Sequence, residues 1–181
     1  MRMVSFVPAT LVLGGEGSGR GRYAVSLLRD QAAATVAVPS PEEASPDRDP
    51  SAGWPDSWTV TGTNDLSRTI LRARHPVLVD DLTAWVALLL DRADAWSDPE
   101  RALAAVTDAA DELVTVCLGV PFDVVLLSTD VGSIPLPRNE TRRKLQRTVA
   151  EANRLIGAAL PHVVLVTGGR ALDLSDSPRV R

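Results

Sequence analysis

Five short runs of consecutive aliphatic residues mark out the chain: TLVLG (10–14), TVAV (35–38), PVLVD (76–80), DVVLLS (123–128) and HVVLVT (162–167). A strand with one wet face alternates apolar and polar residues, so unbroken runs of this kind predict parallel strands covered on both faces. Between the runs, apolar positions recur at helical spacing and predict helices near 20–31, 64–74, 81–92, 99–117 and 138–159. Strand–helix alternation of this kind predicts a three-layer α/β domain with a mainly parallel central sheet and right-handed crossovers. Ligands on such sheets sit beyond the carboxyl ends of the strands, which directs attention to the residues just after each run.

The segment 39–56, PSPEEASPDRDPSAGWPD, breaks the pattern with five prolines, a run of acidic residues and almost nothing to bury. It reads as a flexible surface loop and candidate lid, not a linker, because the strands on both sides of it belong in one sheet. Residues 1–181 therefore form a single domain, ending in a frayed SDSPRVR tail. With aromatics at only 4%, the core must be aliphatic. A net charge of −4 gives no electrostatic footprint for nucleic acid. The single cysteine, Cys117, excludes an intrachain disulfide and a multi-cysteine zinc site, and reads as a small buried hydrophobe on a helix. MRMVSFVPAT is too short and interrupted for a signal peptide, and no apolar run reaches the ~18 residues of a membrane span. The expected compartment is the cytoplasm.

The chemistry concentrates after the first run, where TLVLGGEGSGRG (10–21) passes from strand through a glycine-rich turn into a helix. Its spacing is that of a Walker A loop, G-x-x-x-x-G-K-S/T, with Gly14 and Gly19 in the glycine positions. Glycines 14, 15, 17 and 19 are expected to let the backbone take positive φ and approach an anion, while the following helix aims its unpaired N–H groups at the same spot. The cradle thus comprises Gly14, Gly15, Glu16, Gly17, Ser18, Gly19, Arg20 and Gly21. Two groups are missing from it. Arg20 stands where a lysine ammonium would reach the β- and γ-phosphates, and Gly21 stands where a hydroxyl would bind Mg²⁺. A dinucleotide fingerprint fails, because G-x-G-x-x-G counted from Gly15 needs glycine where Arg20 lies. The expected ligand is GTP or ATP with Mg²⁺, held with reduced affinity.

At the end of the third run, Asp80 is the candidate Mg²⁺ residue, acting through the ion's water shell, and Asp81 is expected to cap the next helix. Asp130 occupies a similar rim position, followed by the candidate substrate loop VGSIPLP. His75 and His162 precede or begin strands, at the end of the sheet opposite the expected site.

The order of LVLGGEGSGRGRYAVSLL, WPDSWTV, LRARHPVLVDDLTAWV, STDVGS, a helix carrying Asn153, and HVVLVTGGRALDL resembles the bifunctional adenosylcobinamide kinase/adenosylcobinamide-phosphate guanylyltransferase family of cobalamin biosynthesis, over nearly the whole chain. Typical members read GGxRSGKS, RPxxWxTVE, LVDCLTxW and TNEVGxGxVPExRxxRxFRD in that order. The resemblance implies a trimeric P-loop protein that phosphorylates adenosylcobinamide and then transfers GMP from GTP through a guanylylated histidine. It also implies a nucleotide and a corrinoid as partners.

The departures fall on charged and reactive positions. The guanylyl-accepting histidine falls at about Pro50, and neither Pro50 nor Asp49 is a nucleophile. Trp54 replaces the arginine before the proline, Thr61 replaces the glutamate of TVE, STD (128–130) replaces TNE, Arg138 and Glu140 replace the glutamate and arginine of PExR, and LQR (145–147) replaces FRD. The loop glycines, Asp80, Trp58, Trp85, Gly132, Pro137, Arg143, Asn153 and Gly168 are retained. Losing one transition-state charge partner commonly costs ~3 kcal/mol, and several are absent together. Three readings stay open: a divergent enzyme of this pathway, a non-catalytic paralogue that binds or regulates an intact enzyme, or a different small-molecule kinase on the same fold.

Overall fold

A computed structural model describes residues 9–41 and 53–179. The described residues form seven strands and five helices: β1 (Thr10–Gly14), α1 (Arg20–Leu27), β2 (Thr35–Pro39), β3 (Thr59–Thr63), α2 (Leu66–Arg72), β4 (Val77–Asp80), α3 (Leu82–Arg92), α4 (Pro99–Gly119), β5 (Val124–Thr129), α5 (Glu140–Ala159), β6 (His162–Thr167) and β7 (Arg170–Asp173). The sheet order is β3-β2-β4-β5-β1-β6-β7, parallel throughout except for the β6–β7 pair.

The unbroken apolar runs have a simple physical origin: alternate residues of each strand feed two separate cores. Leu11, Val77, Val79, Val124 and Leu126 pack with α2, α3, α4 and α5 on one face. Val12, Leu78, Val125, Leu127, Val164 and Val166 pack on the other face against Ala24, Val25 and Leu28 of the α1 region, together with Trp58. One layer thus holds four helices and the other holds α1, which is the three-layer α/β architecture expected from the pattern. Cys117 is buried among the first set, and burial pushes its thiol up to about 12.

Two strands escaped the hydrophobic pattern, and both are sheet edges. β3 (TVTGT) has a single strand neighbour, β2, and carries threonines instead of aliphatics. β7 (RALD) is exposed along its whole length and doubles back from β6 through Gly168 and Gly169 at φ 56° and 72°. That Gly-Gly pair is the sequence signal for the hairpin. The first helix is also shorter than expected, ending at Leu27 instead of residue 31. Residues 42–52, the greater part of the expected lid, lie outside the described residues. Among the described residues, no helix is long and apolar enough to cross a membrane.

Candidate functional site

The sheet brings the carboxyl ends of three adjacent strands together, because β5 lies between β4 and β1. Gly14 pairs with Thr129, and Asp80 with Leu127, so the glycine loop, the Asp80–Asp81 corner and the β5 rim meet at one level. Gly15 and Asp80, 65 positions apart in the chain, thereby share one cavity. It measures about 260 Å³ and is lined by Gly15 to Gly21 with Trp54, Leu78, Asp80 and Leu127. All seven of those loop residues were expected in the cradle, and Gly14 forms its base. Trp54, Leu78 and Leu127 were not foreseen.

The glycines do not share one job. Gly17 and Gly19 take positive φ, at 67° and 89°, and need glycine for that reason. Gly14 needs it for space, since a Cβ there would lie 2.6 Å from Ser18 Oγ and 2.8 Å from the Val166 carbonyl oxygen. Gly15 has neither constraint: a Cβ there would meet nothing within 4 Å. The expectation that all four take positive φ is therefore corrected to two. The loop is tied by the Ser18 amide donating to the Gly15 carbonyl at 3.2 Å and by the Arg20 amide donating to Ser18 Oγ at 3.3 Å. α1 starts from Gly19 without a side-chain cap, and although Ser18 Oγ already takes the Arg20 amide, the next amides of the first turn, of Gly21 and Arg22, have no loop acceptor among the described residues and face no cap.

Arg20 does not simply point into the cradle as a lysine would. Its Nη1 donates to the Gly14 carbonyl, and its Nη2 donates to Asp81 Oδ2 at 3.3 Å. Asp81 is the N-cap of α3, as expected, accepting from the Thr83 amide through Oδ1 at 2.9 Å. Its second oxygen also receives the Thr129 hydroxyl at 3.4 Å, and Thr83 Oγ1 donates to Thr129 Oγ1 at 3.2 Å. Asp80, joined to Asp81 by a cis peptide bond, lines the cavity. Sequence reasoning missed the Arg20–Asp81 contact because the partners lie 61 residues apart and no local pattern links them.

Behind this cluster, Ser128 Oγ donates to Asn153 Oδ1 at 2.7 Å, and Asn153 Nδ2 donates to the Thr129 carbonyl at 2.9 Å. Asn153 thus fastens α5 to the end of β5. The Asp130 amide donates to the Gly14 carbonyl at 3.1 Å, and its carboxylate receives Ser133 Oγ at 2.7 Å, so Asp130 ties the end of β1 to the loop that follows β5. His162 opens β6 opposite Thr10, at the far end of the strands from Gly14, and His75 precedes β4 at that same end. Pro50 lies outside the described residues. Among the described residues, no three His, Cys, Asp or Glu side chains cluster as a metal site, so a cation here would depend on Asp80, water and a phosphate.

The model of the CobU family, cobinamide kinase/cobinamide phosphate guanyltransferase, matches residues 10–174. The chain belongs to this family. The bifunctional adenosylcobalamin biosynthesis protein CobU of Salmonella typhimurium is 30% identical over 172 residues, covering 88% of this chain and 95% of the relative. Its counterpart in Escherichia coli is 28% identical over the same coverage. Among solved structures, the ATPase DotB of Legionella pneumophila aligns with a TM-score of 0.37 and 14% identity, over 92% of this chain and 44% of its own. The family match takes in the glycine loop, the Asp80–Asp81 corner, the β5 rim and both edge strands.

Within the CobU frame, several of the residues this chain retains are supports. Trp58 and Trp85 are buried at 3% and 5% exposure, Asn153 joins α5 to β5, and Gly168 turns the last hairpin. The retained Gly15, Gly17, Gly19 and Asp80 line the cavity together with three exchanged positions, Arg20, Gly21 and Trp54.

Proposed function

We propose that this CobU-family chain binds a purine nucleotide in the glycine-loop cavity as part of cobalamin assembly, with guanylyl transfer lost and phosphoryl transfer weakened. One observation carries the reading: the glycine loop and Asp80 line one cavity at the carboxyl end of the sheet, while the loop's cation is a guanidinium engaged with Gly14 and Asp81 and its hydroxyl position is Gly21. Amides at a helix N-terminus bind phosphate without a side chain, so affinity survives the exchange. Stabilising the charge of a transferring phosphoryl group requires a cation already aimed at that charge, and this guanidinium is aimed at the Gly14 carbonyl and Asp81. Asp80, which lines the cavity, would hold the water shell of a Mg²⁺ ion bound with the nucleotide, and the ion would supply charge neutralisation to the phosphoryl group.

The absence of a nucleophile at Pro50 and Asp49 supports loss of the covalent step. The chain then acts as a nucleotide-binding partner or regulator of an intact relative, assembled as a trimer and contacting adenosylcobinamide. Incubation with α-labelled GTP followed by denaturation is expected to leave no label on the protein, and a stable guanylyl adduct would overturn this account. Adenosylcobinamide phosphorylation is expected to run at least about a hundredfold below a relative with an intact loop. Arg20→Lys combined with Gly21→Ser is expected to tighten Mg²⁺–nucleotide binding, and an unchanged affinity would remove the loop from the phosphate site.

A further inference from the structure

One carboxylate performs two tasks at the mouth of the cradle. Asp81 Oδ1 holds the first turn of α3 through the Thr83 amide, while Oδ2 accepts from both the Arg20 guanidinium and the Thr129 hydroxyl. The two side chains are 16% and 24% exposed, so the pair is shielded enough to matter yet within reach of a ligand. Arg20 holds the Gly14 carbonyl with its other terminal nitrogen, so the planar fork spans the loop and the α3 cap. A phosphate entering the cavity lined by Gly15 to Gly21 meets a cation that already has a counter-ion.

We propose that Asp81 sets the anion affinity of the loop by competing with phosphate for Arg20, whose Nη2 leaves the carboxylate for the ligand while Nη1 stays on Gly14. The proposal rests on the nucleotide-binding reading above and deepens it. The ligand class is a polyphosphate tail, part of whose charge is met by the guanidinium.

Asp81→Asn separates the two tasks. The amide keeps Oδ1 as the α3 cap, where asparagine serves as well as aspartate, and presents a donor in place of Oδ2. Calorimetric titration with GTP, and separately with tripolyphosphate, in EDTA is expected to show binding about fivefold tighter than in the unsubstituted protein. In an Arg20→Gln background, Asp81→Asn is expected to change affinity by less than about twofold. Asp81→Ser, which caps without a charge, provides the same comparison if the asparagine variant melts early. Equal tightening in both backgrounds would reduce the effect to a general loss of negative charge and overturn the proposal, as would weaker binding in Asp81→Asn. Binding that Asp81→Asn leaves unchanged sinks the competition alone. Failure of the unsubstituted protein to bind either probe sinks the nucleotide reading along with it.

Discussion

Individual residues divide the glycine loop into parts that a pattern match treats as one. Gly14 and Gly15 are neighbours of the same type, but only Gly14 is crowded, by Ser18 Oγ at 2.6 Å and the Val166 carbonyl at 2.8 Å. The Val166 contact is backbone and cannot swing away, so Gly14→Ala is expected to destabilise the protein by about 2 kcal/mol. Gly15→Ala should stay within about 0.5 kcal/mol, because a Cβ there meets nothing. Thermal or denaturant unfolding of the pair checks this, and equal losses would contradict the loop geometry. The loop was legible in sequence because its glycine spacing is local. Which glycine needs space and which needs positive φ was not legible, since the crowding of Gly14 comes in part from Val166 on β6.

Among elements, the joint between β5 and α5 has the clearest energetic content. Ser128 is fully buried, and its hydroxyl has Asn153 Oδ1 as its acceptor at 2.7 Å. Asn153→Ala strands that hydroxyl and leaves the Thr129 carbonyl without its donor, so a loss of about 1–3 kcal/mol is expected. Because the two residues share one network, Ser128→Ala combined with Asn153→Ala should cost less than the sum of the single changes. A double-mutant cycle in urea measures the difference, and strict additivity would mean that the joint is not coupled. The interior strands declared themselves through uninterrupted aliphatic runs, since both their faces are covered. The edges β3 and β7 did not, because strands with one neighbour or an exposed face have no need of such a run. For β7 the Gly168–Gly169 hairpin turn was the overlooked cue.

At the scale of the whole molecule, surface carboxylates govern the acid limb of stability. Hydrogen bonding to Lys144 holds Glu140 below its ordinary value of 4.5, and Arg154 does the same for Glu151. Ser175 holds Asp173 below 3.8. A carboxylate with a lowered folded pKa contributes stability above its unfolded value, and that contribution is lost as pH falls through the folded one. The melting temperature is therefore expected to be flat from pH 7 to about 5 and to decline as pH falls below about 4.5; a rise on acidification would contradict these pairings. The decline should be shallow, because these groups are largely exposed and screened by solvent. The sequence by itself determined the two-sided burial of the central strands, the α/β alternation and the glycine-rich turn between β1 and α1, since each depends on neighbours along the chain. Only the tertiary structure decided that β5 separates β4 from β1, and hence that Arg20 and Asp81 meet across 61 residues of chain. The destiny of that guanidinium depends on strand order, a non-local property that no spacing of residue types records.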